Sequence, residues 1–213
     1  MSPLFIWTFL GGVMNFVSGT ASSLMGTYRQ VASYRHKVFV ENLGWDLHSP
    51  DGQEQDQFDR PDTLYVAARD DEGEICGCAR LLPTTSPYLL SEVFPQLLNG
   101  ADPPKSADVW ELSRFATVDF NSPDRSALRQ MSSEVAIDLL QAAIDCASRQ
   151  GAKRLITVSP LGIERLLRNA GFVAHRAGPP MKIDGHLIFA CMIEVNESIS
   201  ARAERNIQTA ECV

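Results

Sequence analysis

The chain lacks the features that define several large classes of protein. Its 213 residues carry a formal net charge of −7, with 19 Lys and Arg against 26 Asp and Glu. Nucleic-acid binders need a basic face that neutralises phosphates, so this excess of acids argues against a general nucleic-acid partner. The five cysteines are odd in number and the four histidines have no metal-type spacing. We therefore expect a reduced, cytoplasmic compartment and no metal site.

The N-terminal region also lacks the signals of export and of membrane insertion. The first 27 residues contain no Lys or Arg, so the basic start of a secretory signal is missing. The apolar run Leu4–Val17 is interrupted by two glycines and an asparagine and is too short to cross a bilayer, so we expect no membrane association. Met14 offers a second start, and residues 1–13 are interpreted as an extension outside the fold. Residues 14–196 then form one domain, followed by a polar tail at 197–213.

Hydrophobic periodicity predicts strands that alternate with helices. The predicted strands are 15–18, 63–69, 74–83, 109–118, 154–159 and 187–195, and the predicted helices are 22–40, 126–150 and 162–169. Hairpins and helical crossovers occur together, which indicates a single α/β domain with a mixed central sheet. The segment 46–62 has prolines, a glycine and no periodicity. We expect it to form a long ordered loop, and such loops are usually functional.

The charges are distributed unevenly along the chain. Glu41–Glu74 contains eleven acids against Arg60 and Arg69, whereas Cys146–Ile183 contains seven Lys and Arg against Glu164 alone. One interpretation is that the acidic segment holds a cationic ligand and the basic segment meets an acidic partner. The alternative is two solvated faces of opposite charge.

A spaced set of polar and aromatic residues carries the most specific signal. The pattern R-x(3)-F-x(5)-W-x(10)-D-x(2)-D fits Arg35, Phe39, Trp45, Asp56 and Asp59. Further along come Arg80 in CGCARLLPT, and Glu111 and Arg114 in WELSRF. From Met14 to Val195 the chain thus resembles the acyl-homoserine-lactone synthases, the LuxI-type autoinducer synthases of bacterial quorum sensing.

The resemblance implies a single-domain, three-layer α-β-α fold like that of the GNAT acetyltransferases. It also implies two substrates, an acyl-acyl carrier protein and S-adenosylmethionine, and no separate cofactor. The products would be an N-acyl-L-homoserine lactone, methylthioadenosine and free carrier protein.

The chemistry of S-adenosylmethionine explains the residue types of the motif. Its sulfonium and ammonium groups favour nearby carboxylates and an aromatic face, which Asp56, Asp59, Trp45 and Phe39 can supply. Arg35 would pair with these acids or with the ligand carboxylate. The remaining acids of the loop are interpreted as solvated, namely Asp46, Asp51, Glu54 and Asp62.

Glu111 is the candidate base for removing a proton from the substrate amine, and Arg114 is the second candidate catalytic residue. Three residues apart on a strand, the two would face opposite sides unless a β-bulge intervenes, and bulges occur beside active sites. Arg80 and Arg114 are expected to support the charge network or the pantetheine arm. The residues expected to line the acyl pocket are Phe115, Met131, Thr157 and Ser159.

Carrier proteins are acidic, so the basic C-terminal half is the expected docking surface. The candidates are Lys153, Arg154, Arg165, Arg168, Arg176 and Lys182. Two alternatives remain open, a GNAT-type N-acetyltransferase that uses acetyl-CoA and a catalytically inactive ligand-binding domain. The first usually carries a [Q/R]-x-x-G-x-[G/A] loop for the pyrophosphate, and no match to it occurs in the sequence.

Overall fold

The computed structural model describes residues 14–118, 120 and 134–195. Within them, eight strands form one sheet in the order β1-β2-β3-β4-β5-β8-β6, with β7 also paired to β8. The strands are β1 Asn15–Thr20, β2 Leu64–Arg69, β3 Ile75–Pro83, β4 Val109–Ala116, β5 Arg154–Pro160, β6 Ala174–Arg176, β7 Met181–Ile183 and β8 His186–Glu194. The sheet is mixed, because β4 and β5 are parallel whereas the other neighbouring strands are antiparallel.

Helices lie on both sides of this sheet. The α-helices are α1 Ala21–Leu24, α2 Gly26–Arg35, α3 Leu89–Val93, α4 Glu134–Ser148 and α5 Ile163–Asn169. A π-helix spans His36–Asn42, and short 3₁₀ turns span Pro50–Gly52 and Pro95–Leu98. A parallel pair of strands needs a long crossover, and the connection from β4 to β5 contains α4.

The two faces of the sheet bury different clusters. The back face is defined by Leu81, Leu112 and Leu155, which pack with the apolar stripe of α4. The front face is defined by Tyr65, Arg80 and Glu111. There α2 and the π-helix cover one cluster, and α3 with the following 3₁₀ turn covers another. The arrangement is therefore three layers, helix on sheet on helix.

Strand alternation explains why one sequence can bury both faces. Along β5, Leu155 belongs to the back cluster and Ile156 to the front cluster, as expected for side chains that alternate with a period of two. The back cluster also includes the apolar stripe of α4, whose buried residues recur at helical spacing: Ala136, Leu139, Leu140, Ala143, Ile144, Cys146 and Ala147.

The predicted α/β domain with a mixed central sheet is confirmed, and the boundaries differ in places. The predicted helix 22–40 is wrong as a single element, because Met25 has φ +43° and separates α1 from α2. The predicted helix 126–150 is present from Glu134, and residues 126–133 lie outside the described part. So do residues 1–13 and 197–213, where an extension and a polar tail were expected. No helix in the described ranges is long and apolar enough to cross a membrane.

Candidate active site

Three arginines and three carboxylates form one buried cluster on the front face. We call this the charge network, and its members are Arg35, Arg80, Arg114, Glu54, Asp56 and Asp59. The arginines come from the end of α2 and from two neighbouring strands, and the acids come from the loop predicted at 46–62. Each charge therefore has an opposite charge within ion-pair distance, which is the condition for burying charged groups in a protein interior.

Arg35 forms the centre of the network. Its Nη1 donates to Oδ1 of Asp59 at 2.8 Å and its Nη2 donates to Oδ2 at 3.0 Å, a bidentate pair. Its Nε donates to Oε2 of Glu54 at 2.5 Å. The Tyr65 hydroxyl, on β2, also donates to Oδ1 of Asp59 at 2.8 Å. Asp59 is thus almost completely occupied by protein donors, and 3% of its side chain is exposed.

Arg80 connects the second acid of the motif to the sheet. Its Nη1 donates to Asp56 at 2.6 Å and to Asp59 at 3.1 Å, and its Nε donates to the Ser113 hydroxyl at 3.1 Å. Its side chain is 0% exposed. Asp56 is the most accessible acid of the network, with 14% of its side chain exposed.

A β-bulge directs Arg114 toward the same face as Glu111. The register between β3 and β4 shifts between Cys78 and Arg80, and Arg114 has φ +51°, in the left-handed region. Its Nη2 then reaches Oε1 of Glu54 and Oδ2 of Asp56, both at 2.9 Å. The bulge that the spacing of Glu111 and Arg114 requires is therefore present.

The interpretation of Glu54 as a solvated acid is wrong. Its side chain is 0% exposed and accepts hydrogen bonds from Arg35 and Arg114. The Glu54 backbone N–H donates to the Ala32 carbonyl at 3.0 Å, which ties this part of the loop to α2. The network has three arginines, and Asp56 and Asp59 supply only two negative charges. Glu54 supplies the third, between Arg35 and Arg114.

The network holds two of its acids, Asp59 and Glu54, in the ionised form. Burial alone would raise the pKa of Asp59, but the hydrogen bonds and charge of Arg35 outweigh it and hold that pKa well below the usual range. Burial would likewise raise the pKa of Glu54, but the hydrogen bonds and charges of Arg114 and Arg35 outweigh it and lower that pKa. The two carboxylates are therefore anions at neutral pH.

Glu111 lies in a different environment on the same face. Its side chain is buried, and its two oxygens accept from the backbone N–H groups of Leu90 at 2.7 Å and of Leu89 at 3.0 Å, at the start of α3. Burial raises the pKa of Glu111 to about 7, and these two donors, with Arg80 and Arg114, oppose the rise. A carboxylate with a pKa close to neutral suits general base chemistry.

The aromatic residues of the motif form a stack that opens to solvent. Phe39 and Trp45 lie with ring centroids 5.0 Å apart and an interplanar angle of 25°. The Arg114 guanidinium lies 5.5 Å from the Phe39 centroid. Phe39 is buried and Trp45 is 42% exposed. Trp45 is therefore the member of the stack that can meet an incoming ligand.

The described acyl-pocket candidates share the back face, opposite Glu111. Thr157 pairs with Cys191 and Ser159 with Phe189, and both partners belong to the back cluster, against which Phe115 also packs. Met131 lies outside the described residues. The strands β4 and β5 pair only over Val109–Glu111 and Arg154–Ile156, and beyond these positions each is paired only to its other neighbour. The pairing of β4 with β5 thus ends beside Glu111 and leaves an opening in the sheet there.

The six basic docking candidates are exposed but do not form one cluster. Lys153 and Arg154 stand at the start of β5, whereas Lys182 pairs with Leu187, level with the far end of that strand. Glu164 pairs with Arg168 at 3.3 Å and with Arg176 at 2.7 Å. Arg165, on the helix that follows the open end of β5, has no ion pair in the part of the chain that the structure describes.

Sequence reasoning missed the groups that support the motif residues: Glu54, Tyr65, Ser113 and the amides of Leu89 and Leu90. A signal for one of them existed, because Tyr65 pairs with Arg80 in the predicted hairpin. The amides belong to a five-residue helix that periodicity cannot detect.

The fold and the site place the chain in the class of acyltransferases with a GNAT-like fold. The family model for autoinducer synthases matches residues 23–203. An acyl-homoserine-lactone synthase of Acinetobacter nosocomialis is 59% identical over 183 residues, which cover 85% of this chain and 100% of the relative. The chain belongs to the autoinducer synthase family and is an acyl-homoserine-lactone synthase.

Two solved structures relate the fold to ligands. The crystal structure of TofI in a ternary complex with an inhibitor and MTA is similar with a TM-score of 0.71 and 47% identity, covering 85% of this chain and 91% of TofI. The structure of BjaI, a CoA-dependent acyl-homoserine-lactone synthase, with SAM and isopentyl-CoA has a TM-score of 0.74 and 27% identity, covering 85% and 83%.

Proposed function

We propose that the enzyme transfers an acyl group from an acyl-acyl carrier protein to the amine of S-adenosylmethionine and then closes the lactone with release of methylthioadenosine. In the first step a C–N bond forms, the thioester C–S bond breaks and the carrier thiol leaves. In the second, the substrate carboxylate oxygen attacks the γ-carbon and displaces the sulfonium sulfur. The observation that carries this proposal is the occurrence on one face of an exposed aromatic ring, Trp45, the most accessible carboxylate of the network, Asp56, and a buried base, Glu111.

The solved complexes support S-adenosylmethionine as one substrate. BjaI binds SAM, and TofI binds MTA, which, read as methylthioadenosine, is the leaving group of lactone closure. Trp45 supplies an exposed aromatic face, and Asp56 supplies the most accessible carboxylate of the charge network. Asp59 is occupied by Arg35, Arg80 and Tyr65, so we assign it to holding the site in place. Arg35 and Phe39 are buried and complete the site from the protein interior.

Glu111 removes the proton that the attacking amine must lose. The ammonium form has no free electron pair, so acylation requires a base close to it, directly or through one water. The raised pKa of Glu111 makes it a base that can accept a proton near pH 7 and release it afterwards. Arg114 and Arg80 lie on the same face and contribute positive charge to the reacting region.

Lactone closure needs orientation more than acid–base help. A sulfonium is a good leaving group, and a carboxylate held at the γ-carbon attacks it as an intramolecular nucleophile. The role of the protein in this step is to hold the substrate folded. A rigid, charge-compensated network suits that role, because its arginines and acids fix one another in place.

The acyl chain would occupy the back face while its thioester lies beside Glu111. The opening between β4 and β5 joins these two places, and Thr157, Ser159 and Phe115 lie on the back side of it. A hydroxyl from Thr157 or Ser159 could bind an oxygen substituent on the third acyl carbon, while Phe115 supplies apolar surface. Met131 is the further acyl-pocket candidate from the sequence.

The carrier protein is the acyl donor that the surface charge favours over CoA. A small acidic protein needs a distributed basic surface, and Arg165 is an exposed cation on the helix that follows the open end of β5. Arg168 and Arg176 add charge nearby and share Glu164. Lys182 extends this surface, whereas Lys153 and Arg154 lie at the other end of β5.

Mass spectrometry of the purified enzyme with S-adenosylmethionine tests the proposal, with acyl-carrier proteins in one set of reactions and matching acyl-CoA thioesters in another. We expect an acyl-homoserine lactone and methylthioadenosine in equal amounts, formed faster from the carrier protein. A lactone formed only from acyl-CoA would overturn the choice of donor. An N-acetylated amine from acetyl-CoA, or no product from any donor, would favour an acetyltransferase or an inactive binding domain.

A further inference from the structure

The turn that binds Glu111 is itself anchored to the loop of the charge network. Glu111 accepts from the backbone N–H groups of Leu89 and Leu90, which belong to the segment that follows Pro87. The Arg60 Nη1 donates to the Pro87 carbonyl at 2.5 Å. Arg60 follows directly after Asp59, so a single residue connects the acid that pairs with Arg35 to the segment that binds the base.

The side chain of Arg60 is held in this position at a cost. Its Nη2 atom is buried and has no hydrogen-bond partner among the described residues, a situation that native structures rarely maintain without a reason. Its Nε donates to Asp62 at 3.1 Å, and that acid is half exposed. The contact with the Pro87 carbonyl is therefore the one hydrogen bond that joins this side chain to a distant segment within the described ranges.

Other contacts restrain the same segment independently of Arg60. The Tyr88 hydroxyl donates to the Pro104 carbonyl at 2.8 Å, and the Ser91 hydroxyl caps the first turn of α3. Loss of Arg60 would therefore loosen the position of the Leu89 and Leu90 amides without unfolding the turn. Looser amides would bind the Glu111 carboxylate less well.

We propose that Arg60 is a positioning residue for Glu111, which it fixes by anchoring the segment whose two amides bind the carboxylate. The inference rests on the proposed role of Glu111 as the base. It links the loop that carries Asp56 and Asp59 to the reacting carboxylate, so that both halves of the site share one support.

The charges around Glu111 set the direction of the expected change. Arg80 on β3 and Arg114 on β4 act on it from the sheet, and burial, with the nearby Glu111 carboxylate as a second cause, raises the pKa of the Tyr88 phenol. These groups stay in place when Arg60 is replaced. Weakening the amide hydrogen bonds removes stabilisation of the ionised form, so the pKa of Glu111 rises further.

The test is the pH dependence of turnover in wild type, Arg60→Met, Arg60→Lys and a control, Arg69→Met. Arg69 is the matched control because it donates to the Gly73 carbonyl in the β2–β3 turn, away from Glu111. We expect Arg60→Met to move the midpoint of the kcat profile upward by about one unit, which lowers kcat at pH 7 about fivefold. The KM for S-adenosylmethionine should stay close to wild type.

Arg60→Lys retains a donor for a single acceptor, so its midpoint should lie between those of wild type and Arg60→Met. If Arg60→Met is not recovered folded, the kcat midpoint of Arg60→Lys tests the inference by itself. A wild-type midpoint in the recovered Arg60 variants, or an equal shift in Arg69→Met, would overturn the inference. Glu111→Gln separates this failure from that of the proposed function, because a Glu111→Gln enzyme with full turnover would remove the base and the positioning role together.

Discussion

Arg114 and Glu54 are 60 positions apart in the chain, yet they form a bidentate ion pair in the interior. The Arg114 Nη2 donates to Oε1 of Glu54 at 2.9 Å, and its Nε donates to Oε2 at 3.2 Å. The pair depends on the bulge in β4, where the φ of +51° at Arg114 turns a strand residue toward the loop. It joins the sheet to the segment that carries the acids of the motif.

Removal of Glu54 should therefore destabilise the fold. Glu54→Ala leaves Arg35 and Arg114 with one acidic partner each, and an uncompensated buried charge costs about 3 to 5 kcal/mol. Urea unfolding of wild type and variant measures this loss. Asp46→Ala is the control, because Asp46 is an exposed acid of the same loop and should change stability by less than about 0.5 kcal/mol. Equal stability of Glu54→Ala and wild type would contradict the structure of the network.

Trp45 should contribute to binding of S-adenosylmethionine. We expect Trp45→Ala to weaken the affinity by about 0.5 to 2 kcal/mol, because a sulfonium on an aromatic face is stabilised by that order. Trp45→Phe should retain most of it. Isothermal titration calorimetry of the three proteins measures the effect, and wild-type affinity in Trp45→Ala would exclude the contact.

The buried acids predict opposite responses of stability to pH. The folded-state pKa of Glu111 is raised, so the folded protein holds a proton that the unfolded chain releases, and stability falls as pH rises from about 4.5 through 7. Relative to Glu111→Gln, wild type should lose about 2 to 4 kcal/mol over this range. Asp59 and Glu54 have lowered pKa values, so their contribution is present above about pH 4 and is lost only in acid.

Unfolding free energies of wild type and Glu111→Gln from pH 4 to 8 check this prediction. The unfolding free energy of wild type should fall relative to that of Glu111→Gln as the pH rises. A difference that stays constant across the range would show that the pKa of Glu111 is the same in the folded and unfolded protein, and would contradict the raised value.

Charge reversal on α5 should affect one substrate only. We expect Arg165→Glu combined with Arg168→Glu to raise the KM for acyl-carrier protein about fivefold or more at low salt and to spare that for S-adenosylmethionine. The effect should shrink at about 0.5 M salt, because exposed charges are screened within roughly 10 Å even at 0.1 M. Arg29→Glu, an exposed reversal on α2 on the opposite face of the sheet, is the control. A carrier-protein KM indifferent to both reversal and salt would exclude this surface as the docking site.

The sequence predicted the members of the site that a fixed spacing marks. Arg35 was expected to pair with the motif acids or with the ligand carboxylate, and the structure joins it to Asp59 by two hydrogen bonds. The bulge at Arg114 was implied by its spacing from Glu111. The mixed central sheet was expected because hairpins and helical crossovers occur together in the sequence, and the structure has one parallel pair among antiparallel pairs.

The remainder depends on tertiary contacts that local patterns do not record. Glu54 and Asp46 stand in the same acidic loop, and only the path of the folded chain decides that one is buried and the other exposed. The three-residue strands β6 and β7 are too short for a periodic signal. The groups that bind Glu111 are backbone amides, which do not depend on the residue type, so no pattern of residue types can reveal them.

The most direct test of the account compares wild type and Glu111→Gln in two assays on the same preparations, lactone formation and binding of S-adenosylmethionine. The glutamine preserves the shape of the side chain and an acceptor for the Leu89 or Leu90 amide, but it cannot accept the proton of the amine. We predict that turnover falls at least about a hundredfold, the order that a positioned base contributes, while the Kd for S-adenosylmethionine changes by less than about threefold. Undiminished turnover in Glu111→Gln would contradict the assignment of the base and with it the proposed mechanism.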